Sequence, residues 1–229
     1  TNGQLSIRMH MGGSLQINTT NITQAVSDNV VQMGEDSFFT GNIPVSGVLR
    51  LPMLISTYEE FFKAAKIVDP LMIAAYKKRG IVMLGRYSFP PQVLWSNKKL
   101  TSLADLKGQK LRVTSPEQAE FLKRYGATSV TIGTPEVAPA LERGVIEGVL
   151  TASSGGGVGW KDLLKYNYRL GVNFVDAVVI VNEESFNKLP AATQDKVRKI
   201  VADAMPEVTQ ALRDAEVTLT KQFAEAGMI

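Results

Sequence analysis

Arg112 stands inside a short apolar run, Gln109-Lys110-Leu111-Arg112-Val113, just after the turn residue Gly108. A core-facing strand normally excludes arginine, because an unpaired buried charge is very costly. Arg112 therefore needs a partner. Its planar guanidinium matches a carboxylate with two parallel hydrogen bonds. That carboxylate belongs either to an acid of this chain or to a ligand, and the local sequence leaves both open. A second group of chemistry-bearing residues is Thr151-Ala152-Ser153-Ser154-Gly155-Gly156-Gly157, directly after a strand-like run. Its hydroxyls and amides can serve an anion. Its glycines fit a hinge, a close backbone approach to a ligand, or a plain mobile loop. Phe38-Phe39, Phe89 and Trp160 fall in or beside loops, either as satellite core residues or as the apolar walls of a cleft.

Other chemistries find little support. The chain has one histidine and no cysteine, which removes disulfides, thiolate metal sites and cysteine nucleophiles while leaving the compartment open. His10 falls on the polar side of a strand-like alternation and reads as a surface residue. No carboxylate cluster has calcium-loop spacing, and no G-x-S-x-G accompanies the histidine. The glycine run matches neither phosphate-binding fingerprint. An enzyme would need titratable groups converging in a cleft. Hydrophobic residues are 45% and charged residues 21% of the 229, and the formal net charge is +3. The basic residues are scattered among acidic ones, without the stripe that nucleic-acid binding needs. No segment approaches the roughly 18–20 apolar residues of a membrane span. The chain opens at Thr1-Asn2-Gly3-Gln4 directly before a strand, as a trimmed or processed sequence does.

The elements that must position these residues follow from periodicity and punctuation. Leu5, Ile7 and Met9 alternate with polar residues as a strand, and Gly12-Gly13 turns the chain. Thr19 or Thr20 caps a helix with Ile22, Ala25, Val26 and Val30 on one face. Residues 34–55 form a long irregular stretch. Ser56 and Glu59 read as a capping box, and Asp69-Pro70 interrupts the helix they open. Strands are expected at 81–84 and 93–95, with a Pro-rich segment between them. Then strand and helix alternate. Strands at 109–113, 129–132 and 147–150 enclose helices opened by Ser115-Pro116 and Thr134-Pro135 and ended by Gly126 and Gly144. This order predicts a parallel, helix-covered sheet with its ligand edge at the strand C-termini. Residues 160–168 read as helical, 175–181 as a strand, and the remainder from Leu189-Pro190 as helix, kinked or divided at Pro206.

The stretch 98–151 resembles the solute-binding proteins of tripartite ATP-independent periplasmic (TRAP) transporters, the DctP-like family. The resemblance rests on Leu100-Thr101-Ser102-Leu103-Ala104-Asp105-Leu106-Lys107-Gly108-Gln109-Lys110-Leu111-Arg112-Val113, then Gly126-Ala127, Pro135-Glu136-Val137, Ala140-Leu141-Glu142-Arg143-Gly144 and Glu147-Gly148. Gly13-Ser14-Leu15, Leu51-Pro52, Val181-Asn182 and Leu189-Pro190 extend it in the family's order along nearly the whole chain.

What the resemblance implies is an α/β fold of two lobes on a hinge, of the periplasmic binding protein (class II-like) type, with long C-terminal helices crossing both lobes. One lobe would hold 1–86 and 178–229, the other 87–177. Such a protein sits in the periplasm as a monomer, closes on a small organic acid and delivers it to the membrane subunits of a TRAP permease. It performs no chemistry; no cofactor and no metal-ligating residue is expected, and whether a metal ion assists ligand binding stays open. Arg112 matches the arginine that clamps the ligand carboxylate. Ser153, Ser154 and Thr151 would add hydrogen bonds, and Phe38, Phe89, Trp160 and Phe174 would wall the apolar part. Gln92 stands near the position of a second arginine found in many members, so a 2-oxo or 2-hydroxy monocarboxylate is expected rather than a dicarboxylate. Ser153-Ser154 replaces an asparagine common in sialic-acid and dicarboxylate binders. The family's first strand and helix have no counterpart in the sequence from Thr1 onward. The other readings are a binding protein serving a sensor or another carrier, and a small-molecule enzyme on a related scaffold.

Overall fold

The computed structural model describes residues 5–11 and 14–229, and the Gly12-Gly13 turn lies outside them. In chain order the elements are α1 (Ile22–Ser27), β1 (Met33–Asp36), α2 (Tyr58–Lys77), β2 (Ile81–Ser88), β3 (Val93–Ser96), β4 (Lys110–Val113), α3 (Pro116–Arg124), β5 (Thr128–Thr131), α4 (Thr134–Glu142), β6 (Gly148–Thr151), α5 (Val158–Trp160), β7 (Tyr166–Tyr168), β8 (Asp176–Asn182), α6 (Glu183–Asn187) and α7 (Ala191–Glu225). Among the described residues they build two sheets, of order β1-β8-β2 and β5-β4-β6-β3-β7. Each sheet has its own core. Phe39, Phe61, Met72, Tyr76 and Ile180 pack on the first. Val93, Trp95, Val149 and Leu111, Val113, Leu150 pack on the two faces of the second.

The second sheet is parallel where β4 joins β5 and β6. The three strands expected to run parallel therefore do so, and β3 and β7 extend them antiparallel, β3 on β6 and β7 on β3, into a mixed sheet. Residues 160–168 are not one helix: after Trp160 the chain turns and β7 pairs with β3, Tyr166 opposite Ser96. Pairing with an available strand outweighs the short helical pattern there. Residues 6–11 take part in neither sheet, and Ile7 and Met9 are exposed. An alternating pattern makes a strand only beside a ladder that receives it.

The helix starts follow their caps. Thr57, one residue beyond the expected Ser56, forms the capping box with Glu60, with bonds of 3.1 Å in both directions. Ser115 caps α3 ahead of Pro116. Asn18, rather than Thr19 or Thr20, caps the single turn that leads into α1. Pro70 does not interrupt α2, which runs through it, and α7 continues through Pro206 without dividing. Both prolines are on solvent-exposed surface, where the carbonyl freed four residues earlier can turn to water.

Two adjacent segments carry the chain between the sheets. The Phe89 amide donates to the Val175 carbonyl at 2.9 Å, the Gln92 amide to Asn173 at 2.8 Å, and the Val172 amide to Gln92 at 2.7 Å. Helix α7 links the same two halves along one side. A side chain at Gly85 in β2 would meet Val201 and Met205 of α7 within 2.9 Å, so glycine there lets the helix lie directly on the strand. At its far end Phe223 meets Trp95 edge-on, centroids 5.0 Å apart.

Candidate functional site

Arg112 sits in the interior of the second sheet, its Cα in register with Val130 on one side and Val149 on the other. It is 2% exposed. Its Nε donates to the Ile132 carbonyl at 3.1 Å. Its guanidinium carbon lies 5.7 Å from the Phe38 ring centre and 5.6 Å from that of Trp160, two cation–π distances. Burial alone pulls the guanidinium down to about 10, with no acid acting against it. It stays protonated at neutral pH.

The two other buried arginines are satisfied differently. Arg50 Nε bonds Asp176 Oδ1 at 2.9 Å, and its two terminal nitrogens bond the Asp176 and Ser37 carbonyls at 2.5 and 2.8 Å. Arg86 pairs with Asp69 and Asp176. Among the described residues Arg112 is the buried arginine with no acidic partner, and neither of its terminal nitrogens meets a protein acceptor. The choice left open by the sequence is thereby narrowed: no protein carboxylate fills this fork.

The guanidinium borders a cavity of about 50 Å³. Six residues singled out in the sequence line it: Arg112, Gln92, Thr151, Phe38, Phe89 and Trp160. Phe38 comes from the loop after β1, Phe89 and Gln92 from a connecting segment, and Arg112, Thr151 and Trp160 from the second sheet and the turn beyond it. Ser37, Thr114, Thr134, Gly155, Gly156 and Val175 complete the wall, and no acid is among them. Thr114 and Thr134 follow the C-terminal ends of β4 and β5. The strand-end rule pointed to that edge without naming them. No local signal marked Ser37 or Val175. The glycine run now has a physical reason, since a Cβ on Gly156 would lie 2.8 Å from the Trp160 ring. The close approach is to an aromatic wall.

Three expected residues are placed elsewhere. Ser153 is fully buried and its hydroxyl accepts from Arg169 Nη1 at 2.8 Å. The Ser154 amide donates to Glu216 Oε2 at 2.8 Å, and Glu216 Oε1 accepts from Arg169 Nη2 at 2.8 Å. The Ser154 amide thus ties the turn 153–157 to α7 directly and Ser153 does so through Arg169, while the buried Ser154 hydroxyl has no partner among the described residues. Phe174 packs between Tyr58 and Phe61 in the first core, centroids 4.9 and 5.5 Å away. Its neighbours Asn173 and Val175 direct their backbone groups to Gln92 and Phe89, which turns the Phe174 ring away from the cavity. Among the described residues no acid, histidine and cysteine cluster could hold a metal, and no helix is long and apolar enough to cross a membrane.

A small cavity with no acid in its lining, beside a buried guanidinium that has no acidic partner among the described residues, has the chemistry to hold a small anion. The chain belongs to the DctP family, bacterial extracellular solute-binding protein family 7, whose model matches residues 1–229. Among solved structures it is similar to DctP7 of Bordetella pertussis, an extracytoplasmic solute receptor binding pyroglutamic acid, with 31% identity and a TM-score of 0.87 over 94% of this chain and 73% of that one. DctP6 of the same organism, also binding pyroglutamic acid, is 28% identical with a TM-score of 0.91 over 99% and 76%. The ectoine-binding periplasmic protein TeaA of Halomonas elongata is 27% identical over 154 residues, 64% of this chain and 45% of TeaA. The chain spans about half the length of the curated relatives it matches.

Proposed function

We propose that this chain is the periplasmic receptor of a TRAP-type transporter. It captures a small monocarboxylic acid in the Arg112 cavity and hands it to a membrane permease. Residues 1–86 with 178–229, and residues 87–177, act as the two lobes, and the paired segments around Gln92 and Asn173 act as the hinge. Binding shifts the lobes toward a closed form, and the closed form docks on the permease. No covalent step is involved. The observation that carries the reading is the buried guanidinium of Arg112, held against Phe38 and Trp160 with its terminal nitrogens unmatched by any acid among the described residues. A ligand carboxylate supplies the missing charge with two parallel hydrogen bonds.

The single cation in the cavity lining favours a monoacid, such as a 2-hydroxy or 2-oxo acid, or the pyroglutamic acid bound by the two Bordetella receptors. A thermal-shift screen tests this, because a ligand that binds only the folded state raises its melting temperature. Small monocarboxylates should shift the melt. A response restricted to di- and tricarboxylates would refute the monoacid reading, and no response to any carboxylate would refute the receptor reading.

A further inference from the structure

We infer that the cavity selects acids that also carry a hydrogen-bond donor next to the carboxylate, a 2-hydroxyl or a ring N–H, over otherwise matched acids that lack one. This rests on Arg112 as the carboxylate site and deepens it.

The inference comes from the direction of hydrogen bonds around the cavity. Gln92 is 3% exposed, and its Nε2 donates to the Pro90 carbonyl at 2.9 Å. Rotating the amide by a half-turn would set oxygen against oxygen, so its orientation is fixed. Its Oε1 has no partner among the described residues and remains as an acceptor in a residue that lines the cavity.

Thr114 is fixed by a longer chain. Asn173 Nδ2 donates to the Arg50 carbonyl at 2.7 Å, which turns Asn173 Oδ1 toward Gln118. Gln118 Nε2 donates to that oxygen at 3.0 Å, which turns Gln118 Oε1 toward Thr114. There it accepts from the Thr114 amide at 2.9 Å and the Thr114 hydroxyl at 3.0 Å. A backbone carbonyl at one end and a backbone N–H at the other set every direction in between. The Thr114 hydroxyl proton is therefore committed, and only its lone pairs remain for a ligand.

Arg112 thus offers donors, while Gln92 offers an acceptor fixed by its amide orientation and Thr114 one whose proton is held by Gln118. The hydroxyls of Ser37, Thr134 and Thr151 are not committed in this way and can serve either role. A bound acid without a donor would dry the fixed acceptors and leave them unsatisfied, a penalty corresponding to about 5- to 150-fold in affinity.

The test is calorimetry on the full chain with three matched pairs: L-pyroglutamate against its ring-oxygen lactone, lactate against pyruvate, and 2-hydroxyisovalerate against 2-oxoisovalerate. The donor-bearing member should bind more tightly in every pair that binds, and Gln92→Leu should narrow the ratio. Equal or reversed affinities within a pair, an unchanged ratio in Gln92→Leu, or binding by none of the six would overturn the inference. The wild-type ratios decide it even where the variant fails to fold. Arg112→Met separates the two claims. Loss of binding in that variant, with wild-type ratios near one, removes the donor preference and leaves the carboxylate site standing. Binding unaffected by Arg112→Met removes the carboxylate site itself.

Discussion

Replacing Arg112 by methionine should weaken ligand binding severely without weakening the fold. In the ligand-free protein the guanidinium is 2% exposed, has no counter-charge among the described residues, and makes one hydrogen bond to a backbone carbonyl. Methionine keeps the unbranched stem between Phe38 and Trp160 and removes the desolvated charge. The lost hydrogen bond costs about 1 kcal/mol, and relief from burying a lone charge offsets it. Stability of the ligand-free variant should lie within about 1 kcal/mol of wild type, or above it. Binding loses two charge-assisted hydrogen bonds in a dry site, about 2–5 kcal/mol in total. That raises Kd by roughly 30- to 4,000-fold. Arg50→Met provides the contrast. It breaks a buried pair with Asp176 and should cost about 3–5 kcal/mol of stability. Urea unfolding of the ligand-free proteins and calorimetric titration of the ligand measure both quantities. Should Arg112→Met unfold as easily as Arg50→Met while binding the acid as wild type does, Arg112 would be a structural residue and the reasoning wrong.

Gly156→Ala puts a methyl group 2.8 Å from the Trp160 ring. The ring must move into the cavity wall, so affinity should fall and about 1–3 kcal/mol of overpacking strain should appear in the unfolding curve; unchanged affinity would show that Trp160 does not shape the site. Glu216→Ala frees both Arg169 and the Ser154 amide. With Arg169 about a quarter exposed, the loss should be about 1–3 kcal/mol, and faster amide exchange should be confined to residues near 153–157. Asp36 is held above the usual carboxylate range by burial, against opposing bonds from Thr23 and the Phe38 amide and the Arg50 charge. A raised acid contributes stability that is present below its unfolded value near 3.8 and is lost as pH rises through its folded value. The stability of Asp36→Asn relative to wild type should therefore increase from pH 4 to pH 7, as read by denaturation at both; a relative decrease would contradict the sign.

The parts of the fold legible in the sequence were those punctuated locally. Ser115-Pro116 and Gly126 bracket α3, and Gly144 ends α4, because caps and positive-φ glycines act within one turn; α4 starts one residue earlier than a Thr134 cap implies, with Gly133 at the cap and its amide bonded to Glu136. The direction of β3 and the existence of β7 were not legible, since both depend on pairing with strands far along the chain. That Pro70 and Pro206 do not divide their helices was not legible for a related reason: whether a proline breaks a helix depends on which face meets solvent, and tertiary packing sets that face. At the site, the polarity of Arg112 in an apolar run was visible at once. Whether an acid faced it was not, because Asp176, which answers both other buried arginines, lies far from Arg50 and Arg86 in sequence. The surroundings of Ser153 and Ser154 were not legible either, because they are set by partners as distant as Arg169 and Glu216.

The central claim is that the cavity recognises a carboxylate by charge. Calorimetric titration of the wild-type chain with the best acid from the screen, its methyl ester and its primary amide tests it most directly. The three share shape and differ in what they offer the guanidinium. The acid should bind, and the ester and the amide should bind about 30-fold or more weakly. Equal affinity for the acid and its ester would contradict it.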